Sequence, residues 1–171
     1  MSPLLINIVM IIVETGAGLP NSNAYADVAT ADTYCADRLI SAWGEATVSK
    51  RASVLIRATD YIDANYRFRS VPLTDEQALA HPRDDERLTL HPVLVKATIE
   101  LAIQLLSTDP FAAVSERDVI ESEDTLEGVG SQRKRYADTQ ISDPFPEITK
   151  MLKGMKATRG GGSASTMMLT L

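Results

Sequence analysis

The sequence predicts a mainly α protein, a small helical bundle with a short two-stranded β excursion and extended N- and C-terminal arms. Three observations predict it. Apolar residues recur at helical spacing through most of residues 27–109, residues 110–142 lose that period and turn polar and strand-like, and each end is an apolar run set off by a glycine-rich loop. At 171 residues the chain suits one domain that buries about two thirds of its extended surface. The elements divide it into an extended N-terminal arm (1–26), a helical core (27–109), a β-hairpin-like insertion (110–142), a C-terminal helix (143–159) and a C-terminal tail (160–171).

Residues 4–13 are apolar except for Asn7. Ten residues cannot cross a hydrocarbon core as a helix, which needs about 20. The start Met1-Ser2-Pro3 lacks the positive charge of a secretory signal. The Ile and Val content favours an extended segment, and such an edge needs cover from its own domain or a neighbouring subunit. Glu14 to Ala24, with Gly16, Gly18, Pro20, Asn21, Ser22 and Asn23, reads as a loop.

Asp27 or Thr30 can cap a first helix running to about Ser41, with Val28, Ala31, Cys35 and Leu39 on its inner face. Cys35 is the only cysteine and reads as a small core residue. Trp43-Gly44 closes this helix. Thr47 or Ser49 opens the next, whose stripe is Val48, Ala52, Leu55, Thr59, Ile62 and Tyr66. Lys50, Arg57, Asp60 and Asp63 fall largely off it, and the helix closes on 61–69. Thr74-Asp75-Glu76-Gln77 has the form of a capping box and predicts a short helix that Pro82 stops. His91-Pro92 then opens a helix to Ser107. Its two stripes, Val95, Ile99, Ala102, Leu106 and Leu94, Leu101, Leu105, place it centrally.

Beyond Asp109 two antiparallel segments are expected, one acidic around Val119 and Ile120, the other carrying Arg133, Lys134 and Arg135. Pro144-Phe145-Pro146 leads into a last helix over 147–155. Glu147 lies near its positive end and Lys150, Lys153 and Lys156 toward its negative end. After Gly160-Gly161-Gly162 the tail ends in Met167-Met168-Leu169-Thr170-Leu171, which suits a groove on a partner.

Little here predicts chemistry. His81 and His91 each precede a proline and form no metal-ligand spacing, and no phosphate loop, nucleophile elbow or dinucleotide fingerprint occurs. No enzyme activity, cofactor or metal is expected. A net charge of −6 and 5% aromatic content argue against a general polyphosphate binder, which needs a cationic footprint. The contrary signal is local: Arg67 and Arg69 flank Phe68, and Arg133, Lys134 and Arg135 run together, so these five are the candidate nucleic-acid contacts.

Three stretches carry a family resemblance: Val13-Glu14-Thr15-Gly16-Ala17-Gly18 with Asn21-Ser22-Asn23-Ala24-Tyr25; Arg57-Ala58-Thr59-Asp60-Tyr61-Ile62-Asp63 with Tyr66-Arg67-Phe68-Arg69; and Gln77-Ala78-Leu79-Ala80-His81-Pro82-Arg83. They resemble motifs of a tailed-phage and prophage family labelled DnaT-like single-stranded-DNA-binding, whose setting is that of head-tail connectors or head-completion adaptors under the portal. His81 stands where that family usually has tryptophan. The resemblance implies a non-enzymatic structural protein of the virion neck, assembled in the host cytoplasm. It would form a homo-oligomeric ring of about twelve subunits through heterologous contacts. Its partners would be the portal and a downstream neck, stopper or tail-terminator protein, with DNA passing through the lumen and no membrane involved. On that reading Lys150, Lys153, Lys156, Arg159, Met167, Met168, Leu169 and Leu171 are the candidate portal-docking residues. Leu5, Ile6, Ile8, Val9, Ile11, Ile12, Val119 and Ile120 are the candidate inter-subunit residues. The alternative is a DnaT-like single-stranded-DNA-binding protein.

Overall fold

In a computed structural model of the chain, the described residues are 9–84, 89–108, 143–155 and, for the backbone alone, 158–159. The chain divides into two units, Met1–Thr108 with Phe145–Leu171, and Asp109–Pro144. All elements below belong to the first. It is mainly helical: α1 (Val28–Ala36), α2 (Ser41–Glu45), α3 (Val48–Asn65), α4 (Pro92–Gln104) and α5 (Pro146–Lys153), with the short strands β1 (Tyr66–Arg67) and β2 (Thr158–Arg159).

Capping follows the sequence. Asp27 accepts the Thr30 N–H at 2.6 Å to open α1, and Thr47 accepts the Lys50 N–H at 3.2 Å to open α3. His91 caps α4 through Nδ1, which accepts the Val93 N–H at 3.2 Å, with Pro92 in the first turn. α4 buries Leu94, Ala97, Thr98, Ile99, Leu101 and Ala102 and packs on both α3 and α5, whose Ile148 and Leu152 join the same core. Each fully buried leucine or isoleucine contributes about 1.5–3 kcal/mol, which makes α4 the centre of the core. Its one buried hydroxyl, Thr98, donates to the Leu94 carbonyl at 2.9 Å.

Of the expected core residues, Cys35, Ala52, Leu55, Thr59, Ile62, Tyr66, Ile99 and Ala102 are buried, and Val95 and Leu106 are half-buried against them. Leu39 is not: it is 91% exposed. α1 ends at Ala36 rather than near Ser41. The Ile40 N–H reaches back to the Cys35 carbonyl at 3.0 Å and the Leu39 N–H to Ala36 at 3.2 Å, with Leu39 at φ 56°. This is a Schellman stop with leucine in the left-handed position that glycine usually fills. It throws Leu39 outward while Ile40 packs on the core.

Trp43 therefore ends no long helix. It sits on α2, buried, and its indole N–H donates to Asp32 Oδ1 at 2.6 Å, the oxygen that Arg51 also reaches at 2.7 Å. Val48, the first residue of α3, is 64% exposed. α3 stops at Asn65, so Tyr66, Arg67, Phe68 and Arg69 leave the helix in extended chain. Tyr66–Arg67 pairs antiparallel with Thr158–Arg159. The expected two-stranded excursion at 110–142 lies outside the described residues.

Candidate functional site

The three motif stretches, separated in sequence, meet at the C-terminal end of α3. Thr59 and Asp63 lie one helical turn apart and share a face. Thr59 Oγ1 donates to the Leu55 carbonyl at 3.0 Å and accepts the Tyr25 N–H at 3.2 Å. Asp63 Oδ1 accepts the Tyr25 hydroxyl at 2.6 Å, and its Oδ2 accepts the Ala80 N–H at 2.8 Å. The Tyr25 oxygen in turn accepts the His81 N–H at 3.0 Å. One carboxylate and one phenol thus join the N-terminal loop, α3 and the 72–83 loop.

Electrostatics follow from burial. The Tyr25 hydroxyl is pushed well above its ordinary value by burial first and then by the Asp63 charge. Asp63 is also raised, because loss of water outweighs the two hydrogen bonds that favour its ionised form. Asp63, which the sequence places largely off the apolar stripe, instead turns its carboxylate inward to Tyr25 and Ala80. His81, 2% exposed, lies edge-on to Phe68 at 4.2 Å and to Tyr25 at 6.2 Å between ring centroids. The position that usually holds tryptophan in the resembling family is a buried aromatic slot.

The capping box forms in half, without its helix. Gln77 Oε1 accepts the Thr74 N–H at 3.1 Å, but Gln77 Nε2 turns to the carbonyls of Leu79 at 2.7 Å and Pro82 at 3.0 Å. Residues 72–83 close as an irregular loop in which Pro72 bridges Arg83. The Ala78 N–H donates to the Leu19 carbonyl at 3.0 Å, which ties this loop to the N-terminal one.

Of the candidate nucleic-acid contacts, Arg67 and Arg69 are exposed at the end of α3. Phe68 between them is half-buried, with its ring engaged by His81 and by the Arg83 guanidinium at 5.8 Å. Arg133, Lys134 and Arg135 lie outside the described residues. Of the portal-docking set, Lys150 and Lys153 are exposed on α5, and Lys150 pairs with Glu147 at 2.7 Å. Arg159 is described in backbone only, and Lys156, Met167, Met168, Leu169 and Leu171 lie outside. Val9, Ile11 and Ile12 are half-buried, whereas Leu5, Ile6, Ile8, Val119 and Ile120 lie outside. The arm is covered on one edge by its own chain: Asn23 accepts the Ile12 N–H at 2.8 Å and donates to the Met10 carbonyl at 3.0 Å.

Sequence reading missed Glu14, Asn23 and Asp63 as organising residues. Asp63 carried a signal in its spacing of one turn from the inward Thr59. Cys35 is buried, and its thiol is raised by burial, Glu100 and Asp32, which suits an inert packing role. Among the described residues no cluster of His, Cys, Asp or Glu could hold a metal ion, and no helix is long and apolar enough to cross a membrane.

A family model described as "Putative DnaT-like ssDNA binding protein" matches residues 9–170, and the chain belongs to that family. No curated protein and no solved structure matches it.

Proposed function

We propose that this chain is a structural, non-catalytic subunit of a phage head-tail connector, a ring beneath the portal that extends the DNA channel toward the neck and tail. The observation that carries the reading is how the aromatic side chains are used. Tyr25, Trp43, Tyr61, Tyr66 and Phe145 are buried. Of the two half-buried ones, Tyr34 lies under the Arg38 guanidinium at 3.6 Å and Phe68 is held by His81 and Arg83. A non-specific single-strand binder gains its affinity from bases stacked on exposed rings in a cationic groove. Among the described residues no Phe, Tyr or Trp side chain is exposed, and the whole chain is acidic at −6.

A channel subunit gains from weak phosphate contact, since DNA must pass without arrest. The apolar run at residues 9–13, half-buried except for the exposed Met10, and the exposed lysines of α5 supply two different surfaces, as heterologous ring contacts and a portal contact require.

The family's description favours a second reading, single-stranded DNA binding, for which exposed Arg67 and Arg69 are the available contacts. Two measurements on the full chain separate them. Electron microscopy of the protein alone and mixed with portal is expected to show rings or stacked rings. Fluorescence anisotropy with labelled single strands at low salt is expected to show no low-micromolar binding. Monomers that ignore the portal, together with salt-dependent binding that R67A/R69A abolishes, would reverse the assignment.

A further inference from the structure

Glu14 is a carboxylate only 2% exposed. Its Oε1 accepts the N–H groups of Gly16 at 2.9 Å and Gly18 at 3.0 Å, and its Oε2 accepts the Leu19 N–H at 2.8 Å. The Ser22 hydroxyl lies 3.0 Å from Oε2 and 3.2 Å from the Leu19 carbonyl, sharing one proton between them. Among the described residues no lysine or arginine pairs with Glu14. Its charge is met by backbone and hydroxyl dipoles, the arrangement of an anion nest. Gly16 at φ 100° and Gly18 at φ 72° give the loop the left-handed turns that direct successive amides at one point.

The same loop turns its carbonyls outward. Leu19 O accepts the Ala78 N–H at 3.0 Å and Gly18 O the Thr74 hydroxyl at 3.4 Å, while Glu14 N–H donates to Ala24 O at 2.9 Å. Contact is close enough that a Cβ on Gly18 would sit 3.0 Å from Thr74 Oγ1. The Gly18–Leu19 peptide does both, its N–H facing Glu14 and its carbonyl facing Thr74, and the next carbonyl, that of Leu19, holds Ala78. Filling the nest and docking the 72–83 loop are therefore one event.

We propose that residues 14–22 form a carboxylate-binding nest occupied in cis by Glu14, and that this occupancy clasps both the N-terminal arm and the 72–83 loop to the body. A small free carboxylate replaces the side chain when it is cut back. This holds whichever assembly the chain enters. Acetate is the fragment that Glu14→Ala removes, so it is the matched probe.

The test is thermal unfolding of full-length E14A in sodium acetate against sodium chloride at equal ionic strength, with wild type alongside. E14A is expected to melt lower and to recover saturably with acetate, beyond the non-saturating difference between the two salts that wild type shows through general anion exclusion. Hydrogen exchange of peptides within 9–24 and 72–84 is expected to run at least about tenfold faster in E14A, the factor that losing even one charge-assisted hydrogen bond gives, and to slow together on adding acetate. If E14A does not fold in chloride, refolding yield in acetate against chloride reads the same site. An acetate response of E14A no larger than that of wild type, or faster exchange confined to one segment, would overturn the proposal.

Discussion

Replacing Tyr25 by phenylalanine tests the junction at the end of α3 with the smallest possible change. The ring stays and only the hydroxyl is lost. That oxygen donates to Asp63 at 2.6 Å and accepts from the His81 N–H at 3.0 Å. A hydrogen bond to a charged group contributes about 1.5–3 kcal/mol, and a buried donor left unmet costs about 1–3 kcal/mol. Asp63 keeps the Ala80 N–H, so its carboxylate is not stranded. The two effects overlap in one atom, and Y25F is expected to lose roughly 2–4 kcal/mol. For a chain of this size that lowers the melting midpoint by roughly 4–16 °C, at about 2–4 °C per kcal/mol.

Urea unfolding of wild type, Y25F, D63A and the double variant gives the assay. The cycle isolates the Tyr25–Asp63 term, expected at about 1.5–3 kcal/mol of coupling. A Y25F loss below about 0.5 kcal/mol, the range of ordinary surface substitutions, or a coupling near zero, would refute the claim that this pair joins the three segments.

Further outcomes follow from the same reasoning. Leu39→Gly relieves a left-handed leucine that contributes no burial, and is expected to raise stability by about 1 kcal/mol in urea; a loss would show that the helix stop rests on leucine itself. Tyr34 donates to Glu100 at 2.6 Å, and burial together with that carboxylate pushes its phenol up to about 12. The unfolded phenol ionises near about 10, so the stability Tyr34 contributes is whole below that pH and is lost as pH rises toward about 12. Unfolding midpoints across this window should fall less in Y34F, and identical curves would count against the shift. Asp63 is raised as well, so its net contribution is greatest below the unfolded carboxyl value of about 3.9 and declines as pH rises through the folded one. A stability profile for D63N that lacks this decline is the check, and a steeper decline in D63N would contradict it.

The sequence by itself determined the helical class, the places where α1, α3 and α4 begin, and the central position of α4, because these depend on local hydrogen bonding and on which residues share a helix face; it left Asp27 against Thr30 and Thr47 against Ser49 open as caps. The tertiary structure decided what depends on chain returning from a distance. Leu39 left the core because a helix stop formed with no glycine to announce it. Thr74 and Gln77 made a loop instead of a helix because the carbonyls of Leu79 and Pro82 and the peptides of Gly18 and Leu19 competed for the same groups. Asp63, charged and one turn from Thr59, became an inward residue because Tyr25 arrives from 38 positions away to meet it. A periodicity argument places a carboxylate on a face, but only the partners brought by folding decide whether that face is wet.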